Sequence, residues 1–269
     1  MELKGLPDGY EAALARAFEL ASDVEGLLKD SEIRALFLFG SCPTAEGKVL
    51  EIGSFRGRSA VVLSKATELA GEPGIVAVDP LTSPSKTDPD LGGESSGRHR
   101  FHANLKRAGV SARVEFHEMP SIELAASWDR PIRFLWIDGD HTHEGAHRDL
   151  SGFSPFLTRG AMVAMHDVMH RFDGPIRVFI EDVLSSDDFG PCGVVGSTGW
   201  ARYLGPGEGA AYRGERASLS RKLGRLLPYQ LEYDRPLGWL GTRLYRLWKS
   251  LVPHGDLDPV KWLERVERQ

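Results

Sequence analysis

The segment Val49-Leu50-Glu51-Ile52-Gly53-Ser54-Phe55-Arg56-Gly57-Arg58-Ser59 constrains the fold of this chain more than any other. A short apolar run ends in an acid, turns through two glycines four positions apart, and continues into Ala60-Val61-Val62-Leu63-Ser64-Lys65-Ala66. This order reads as a buried parallel strand, a tight turn and a helix, the unit that grips a nucleotide-like ligand at the carboxyl edge of an open α/β sheet. Glycine suits such a turn because the backbone passes close to the ligand and adopts positive φ.

A second apolar run, Gly74-Ile75-Val76-Ala77-Val78-Asp79, also ends in an acid, 26 positions after Gly53. A carboxylate at that strand tip can accept hydrogen bonds from both hydroxyls of a ribose. A dinucleotide site would instead present Gly-x-Gly-x-x-Gly, with a pyrophosphate on the helix N-terminus. This chain has Glu-x-Gly-x-x-x-Gly-x-Ser, with Glu51 just before the first glycine. An anion there is unfavourable beside a pyrophosphate and acceptable beside a cationic amino-acid ligand. The pattern resembles motif I of the class I S-adenosylmethionine-dependent methyltransferases.

Strands and helices alternate along the chain. Helical spacing of Ala13, Ala17, Leu20, Val24, Leu27 and Leu28 predicts a helix within 8–29, and 31–39 predicts a second. Strands are expected at about 48–52, 74–79, 113–116, 133–138 and 161–167, with helices at about 57–70, 98–108, 144–156 and 173–184. The segments 193–195 and 200–204 would close the sheet as a hairpin-like pair. Such alternation gives a doubly wound, mostly parallel sheet covered on both faces. The Ser/Pro/Asp/Gly-rich stretch 81–97 follows the second acid, where a long loop suits a substrate-covering lid. We divide the chain into an N-terminal helical cap (1–40), a ligand-binding domain (41–205) and a basic C-terminal extension (206–269).

Charge supports that last division. From Glu208 onward there are 12 Lys/Arg against 8 Asp/Glu, a net +4, while the preceding part carries 21 against 30, a net −9. The whole chain, at −5, is not built for general nucleic-acid binding. Two cysteines, Cys42 and Cys192, make no disulfide framework. The first residues lead into an acidic amphipathic segment, not an apolar signal core, and no apolar run reaches the roughly 20 residues that span a bilayer. A cytoplasmic location is the expectation. In the extension, Trp239, Leu240, Leu244, Leu247, Trp248 and Leu251 form an apolar stripe, with Arg243, Arg246 and Lys249 on another side. Packing of that stripe on the domain or on a second subunit is the commoner outcome; peripheral contact with an anionic membrane is the other.

The second informative block is Trp136-Ile137-Asp138-Gly139-Asp140-His141-Thr142-His143-Glu144-Gly145, with His166-Asp167 at the next strand tip. Adjacent tips in a doubly wound sheet meet beside the ligand crevice, so Asp138 converges with His166 and Asp167. Two carboxylates and an imidazole suit a divalent cation, Mg²⁺ or Mn²⁺. A metal-bound hydroxyl is more acidic, and a nearby base takes its proton. His141 is the candidate base. Asp140 and Glu144 also suit the cap and first turn of the following helix. His143 and His147, four apart, fit a zinc pair only without the His-Glu-x-x-His context.

Together, "VLEIGSFRGRSAVVLSKA" and "LWIDGDHTHEGAHRDL…SPFLTRGAMVAMHDV" resemble the branch of class I methyltransferases related to macrolide-sugar and polysaccharide O-methyltransferases. The resemblance covers about Gly47 to Leu204 and implies a seven-stranded Rossmann-like fold, S-adenosylmethionine as methyl donor and, often, Mg²⁺-dependent methylation of a hydroxyl. Carried over by position, Glu51, Gly53 and Ser59 fall to the methionine part and its turn, and Asp79 to the ribose. Ser121 falls near the adenine, Asp138 to cofactor and metal, His166 and Asp167 to the metal, and His141 to the base. Relatives of the macrolide type carry two acids where this chain has His166-Asp167. The resemblance implies a sugar hydroxyl of a glycan, glycolipid or glycosylated metabolite as acceptor. A catechol-type or natural-product methyltransferase, a hydroxylase-like relative and a non-catalytic binding protein are the alternatives.

Overall fold

The computed structural model describes residues 5–82, 94–170, 172–229 and 237–267. Seven strands form one sheet: β1 (Lys48–Ile52), β2 (Ile75–Val78), β3 (Val114–His117), β4 (Ile132–Ile137), β5 (Leu157–Met165), β6 (Phe189–Val195) and β7 (Thr198–Tyr203). Their spatial order is β3-β2-β1-β4-β5-β7-β6. β1 pairs in parallel with both β2 and β4, and β7 runs antiparallel to β5 and β6. The order reverses at β1, which opens a crevice beyond the carboxyl ends of β1 and β4. The expected doubly wound, mostly parallel architecture is the one observed, closed by the β6–β7 hairpin.

Period-two alternation decides which side chains face which layer. Val49, Phe134, Trp136, Met162 and Trp200 enter one core with helices α1 (Tyr10–Ser22), α2 (Asp30–Ser41) and α3 (Arg58–Leu69). Leu50, Ile52, Leu135, Ile137 and Val163 enter the other, against α6 (His143–Phe153) and α7 (Asp173–Val178). All six residues of β4 are buried, as a central strand covered on both faces requires. α1 buries Tyr10, Leu14, Ala17 and Ala21, one stripe at helical spacing. Between β2 and β3, α4 (Glu94–Arg107) begins within the stretch read as a lid, of which residues 83–93 lie outside the described residues. A short helix, α5 (Ser121–Ala125), follows β3.

Three helices follow the sheet: α8 (Arg213–Gly224), α9 (Trp239–Ser250) and α10 (Pro259–Glu267). α10 returns to the first core, where Trp262 lies 5.2 Å from Phe39 and Arg265 stacks over Trp200 at 5.1 Å. α9 departs from the expected packing of its whole Trp/Leu stripe. Its inner side carries half-buried Tyr245 and Trp248, whereas Trp239, Leu240 and Leu247 stay exposed, as does the following Leu251. Leu219, Leu223, Leu226 and Val252 already fill the core beneath it.

Candidate active site

A cavity of about 420 Å³ opens over the carboxyl ends of β1, β2, β4 and β5. Its wall includes Gly53, Ser54, Phe55 and Ser59 from the first turn and Asp79 from the second. Asp138, His141, His166 and Asp167 come from the later tips, and Pro120 and Ser121 from the start of α5. Every candidate site residue read from the sequence lines it except Glu51.

The turn after β1 explains why. Gly53 has φ +83°, and a Cβ there would stand 2.1 Å from the Asp138 carbonyl oxygen, so the β1 and β4 tips meet with no room for a side chain. Asp79 locks the turn from the other side. Its Oδ2 accepts the backbone N–H groups of Ser54 (2.7 Å) and Phe55 (2.8 Å), and its Oδ1 accepts that of Leu81 (2.6 Å). A carboxylate offers about four acceptor positions, so roughly one remains, on Oδ1, for a ligand hydroxyl. The structure thus narrows the expectation that Asp79 serves both ribose hydroxyls. Burial raises the Asp79 pKa, while these three N–H groups oppose the rise.

Glu51 sits beneath the same turn, fully buried, where its Oε2 accepts the Ser54 hydroxyl at 2.7 Å. Burial pushes its carboxyl up to about 8 against the opposing Ser59 and Ser54 hydroxyls. Ser59 makes no well-aligned hydrogen bond to it, and Oε1 has no partner among the described residues. The unfolded chain loses this proton near 4.5. The folded state holds it more tightly, so the stability from this group is complete below that pH and is lost as pH climbs towards about 8. Glu51→Gln is therefore expected to gain several kcal/mol on wild type between about pH 5 and pH 8. Thermal melts across that range check it; parallel curves for the two proteins would contradict it.

At the other side of the cavity, His166 and Asp138 meet, with His166 Nδ1 2.9 Å from Asp138 Oδ1 and 3.4 Å from Asp167 Oδ1. The other ring nitrogen, Nε2, faces Glu32 Oε2 of α2 at 3.4 Å. Glu32 is itself buried and accepts both the Ser197 backbone N–H (2.6 Å) and hydroxyl (2.7 Å). Burial opposes charge on His166, but Asp138 and Asp167 outweigh it and hold the ring protonated well above its ordinary range. Burial would likewise raise Glu32, yet His166 and the Lys29 and Ser197 backbone groups bring it down to about 2.

These contacts bear on the metal reading of Asp138, His166 and Asp167. A ligating imidazole needs a lone pair, and a ring with carboxylates at both nitrogens carries protons on both. Among the described residues, no group of three or more His, Cys, Asp or Glu side chains is arranged to hold a metal ion. The three converge as expected, but as a hydrogen-bonded carboxylate–imidazolium cluster, which as arranged does not fit Mg²⁺ or Mn²⁺. His143 and His147 each meet an acid on the surface, Glu181 at 3.2 Å and Asp182 at 2.8 Å, and are not arranged as a zinc pair.

His141 lies across from that cluster, stacked on Phe172 with centroids 4.3 Å apart. Its Nε2 is 3.2 Å from Asp167 Oδ2 but off the hydrogen-bond line, and Nδ1 has no partner among the described residues. Burial disfavours its charge, and Asp167 and Asp138 more than offset this, raising its pKa. The backbone at Phe55 (φ +49°) and Asp167 (φ +58°) is left-handed, strain of the kind found at ligand-binding positions. The helix cap expected from Asp140 is supplied by Thr142, whose hydroxyl accepts the Gly145 N–H at 3.1 Å. Asp140 instead accepts the Thr142 N–H at 2.9 Å. Glu144 takes its expected place in the first turn.

Sequence reasoning missed Asp149, Phe172 and Glu32. Asp149, from α6, lines the cavity and accepts the Ser121 hydroxyl; burial pushes its carboxyl up to about 7. Its position four residues beyond Gly145 and three beyond Ala146, on the inner face of α6, was the available signal.

Residues 50–168, the segment that builds this cavity, match the model of a family described as a methyltransferase domain. Residues 50–168 are thus similar to a methyltransferase domain. An O-methyltransferase from Bacillus cereus, solved with S-adenosylhomocysteine, superposes with a TM-score of 0.52 at 16% identity, over 71% of this chain and 90% of that one. An O-methyltransferase from Streptomyces achromogenes involved in tomaymycin synthesis, solved with S-adenosylmethionine, gives 0.50 at 20% identity, over 72% and 90%. A protein from Corynebacterium glutamicum gives 0.54 at 16%, over 72% and 90%. These superpositions show that the chain has the Rossmann-like fold of those proteins. No helix among the described residues is long and apolar enough to cross a membrane.

Proposed function

We propose that the chain is an S-adenosylmethionine-dependent O-methyltransferase that acts on a hydroxyl of a sugar or another small acceptor. One observation carries this reading: the tips of β1, β2, β4 and β5 converge on a single cavity, within the segment that matches the methyltransferase domain. The cavity has the size of a small-molecule site. The residues present fit the cofactor: Asp79 keeps one acceptor position for a ribose hydroxyl, and the Asp138 carboxylate beside the Gly53 turn suits a cation. When bound, S-adenosylmethionine supplies an electrophilic methyl group on a sulfonium.

The chain's own residues do the rest. Asp167 faces Nε2 of His141, leaving Nδ1 to take the proton of the acceptor hydroxyl. The protonated His166, held between Asp138 and Glu32, keeps the Asp138 carboxylate fixed beside the reacting groups. Phe172 and Phe55 add aromatic faces to the wall, on which the apolar face of a sugar ring or an aromatic acceptor can lie. A cytoplasmic setting and the sugar class of acceptor rest on the sequence reading.

The experiment is methyl transfer from methyl-labelled S-adenosylmethionine to a panel of sugars, glycosides and catechols. Label in a sugar product supports the full reading, label only in a catechol transfers it to the aromatic class, and none in any acceptor removes it. Asp79→Asn is expected to weaken S-adenosylhomocysteine binding about tenfold to a hundredfold, since it replaces a charged acceptor. Calorimetric titration checks this, and unchanged affinity would place the ribose elsewhere.

A further inference from the structure

The solvent side of α9 is the least expected surface of the molecule. Trp239 is 73% exposed, Leu240 60%, Leu247 50% and Leu251 46%. Arg243 and Arg246, expected on another side of the helix, are exposed on this same side, and Arg243 stacks over Trp239 with its guanidinium 4.9 Å from the ring centroid. The positions 239, 240, 243, 246, 247 and 251 recur at helical spacing, and α9 has no acidic residue. A helix of a water-facing surface normally turns this set inward. Here α9 has a second, separate set facing the domain: Tyr245 donates its hydroxyl to the Met169 carbonyl at 2.6 Å, and Lys249 donates to the same oxygen at 2.9 Å. The helix is thus docked with its inner face satisfied and its Trp/Leu/Arg face open.

We propose that this face of α9 is a docking surface for an anionic lipid bilayer. The charge pattern selects the occupant. Two arginines without a neighbouring acid on the helix complement lipid phosphates, while leucines and a tryptophan suit the boundary between headgroups and acyl chains. A second copy paired face to face would set Arg243 and Arg246 against their own counterparts, which is repulsive. The surface also has a consequence for access. Met169, which the inner side of α9 grips, is two residues beyond Asp167 of the cavity wall, so the helix that carries this surface is anchored next to the site. The inference does not depend on the transferred group, because it is read from binding alone.

The test is co-sedimentation of the full chain with phosphatidylcholine vesicles, with and without phosphatidylglycerol. Binding to the anionic vesicles and little to the neutral ones is expected. Each arginine near an anionic surface contributes about fivefold to partitioning, so Arg243→Ser with Arg246→Ser is expected to lower it about thirtyfold. Trp239→Ser with Leu247→Ser is expected to lower it at both lipid compositions. All four side chains are exposed, and unchanged melting temperatures would confirm that the variants fold. Absence of binding to anionic vesicles, or variants that bind as wild type does, would overturn the proposal. So would a dimer seen by light scattering that Leu247→Ser dissociates while vesicle binding is absent.

Discussion

Replacing Gly53 with alanine is expected to abolish cofactor binding and lower stability by several kcal/mol. Two costs combine. A non-glycine residue at φ +83° pays about 1–2 kcal/mol for the left-handed backbone. Its Cβ would also stand 2.1 Å from the oxygen and 2.5 Å from the carbon of the Asp138 carbonyl. Both are backbone atoms of the neighbouring strand tip, so neither can swing aside. Relief requires β1 and β4 to separate where Asp138 N–H donates to Ile52 O at 2.8 Å, and overpacking of this kind costs about 1–3 kcal/mol more. The Asp79 clamp on Ser54 and Phe55 moves with the turn. Gly71, at φ +73° with nothing within 4 Å of a built Cβ, isolates the backbone term. Gly71→Ala is expected to lose a little stability and keep cofactor binding, while Gly53→Ala loses both. Melting curves with and without S-adenosylhomocysteine report both quantities, since a ligand that binds only the folded state raises the melting temperature. If Gly53→Ala behaved as Gly71→Ala does, the close meeting of the β1 and β4 tips would not be what shapes the site.

His141→Ala is expected to lower the rate of methyl transfer by about 10²–10⁴-fold, the usual contribution of a positioned general base. S-adenosylhomocysteine affinity should stay within a few-fold, because His141 stands with Phe172 and Asp167 and not on the glycine turn. This split between rate and affinity separates a base from a packing residue. Loss of the stack on Phe172 alone would weaken binding and rate together. The measurement uses an acceptor identified with methyl-labelled cofactor, under saturating conditions for both substrates. A rate within a few-fold of wild type would assign the proton to another group.

The fold was legible because its signals are local. Apolar strands ending in Glu51, Asp79 and Asp138, each followed by a turn or helix, encode the sheet and its ligand edge within short windows. The helix–strand order also placed His141, His166 and Asp167 on one rim, which the cavity contains. What the local pattern does not encode is the partner that arrives from elsewhere. Asp138, His166 and Asp167 have the composition of a metal site, but the second nitrogen of His166 faces Glu32, 134 positions earlier in the chain. That contact depends on how α2 packs, and it gives His166 a carboxylate at each ring nitrogen. Asp149 and Phe172 reach the cavity only through the docking of α6 and of the segment preceding α7. In α9 the sequence shows an amphipathic stripe, yet which side meets the domain is decided by the core already filled beneath it.

The most direct test of the central claim is calorimetric titration of S-adenosylhomocysteine into the wild-type chain and into Asp79→Asn, in buffer treated with a chelator. The account predicts one site per chain in wild type, with affinity that survives chelation, and binding about tenfold or more weaker in the variant. Absence of binding in wild type would contradict the reading of this cavity as a methyl-donor site. Binding that disappears on chelation would contradict the assignment of Asp138, His166 and Asp167 to a metal-free cluster.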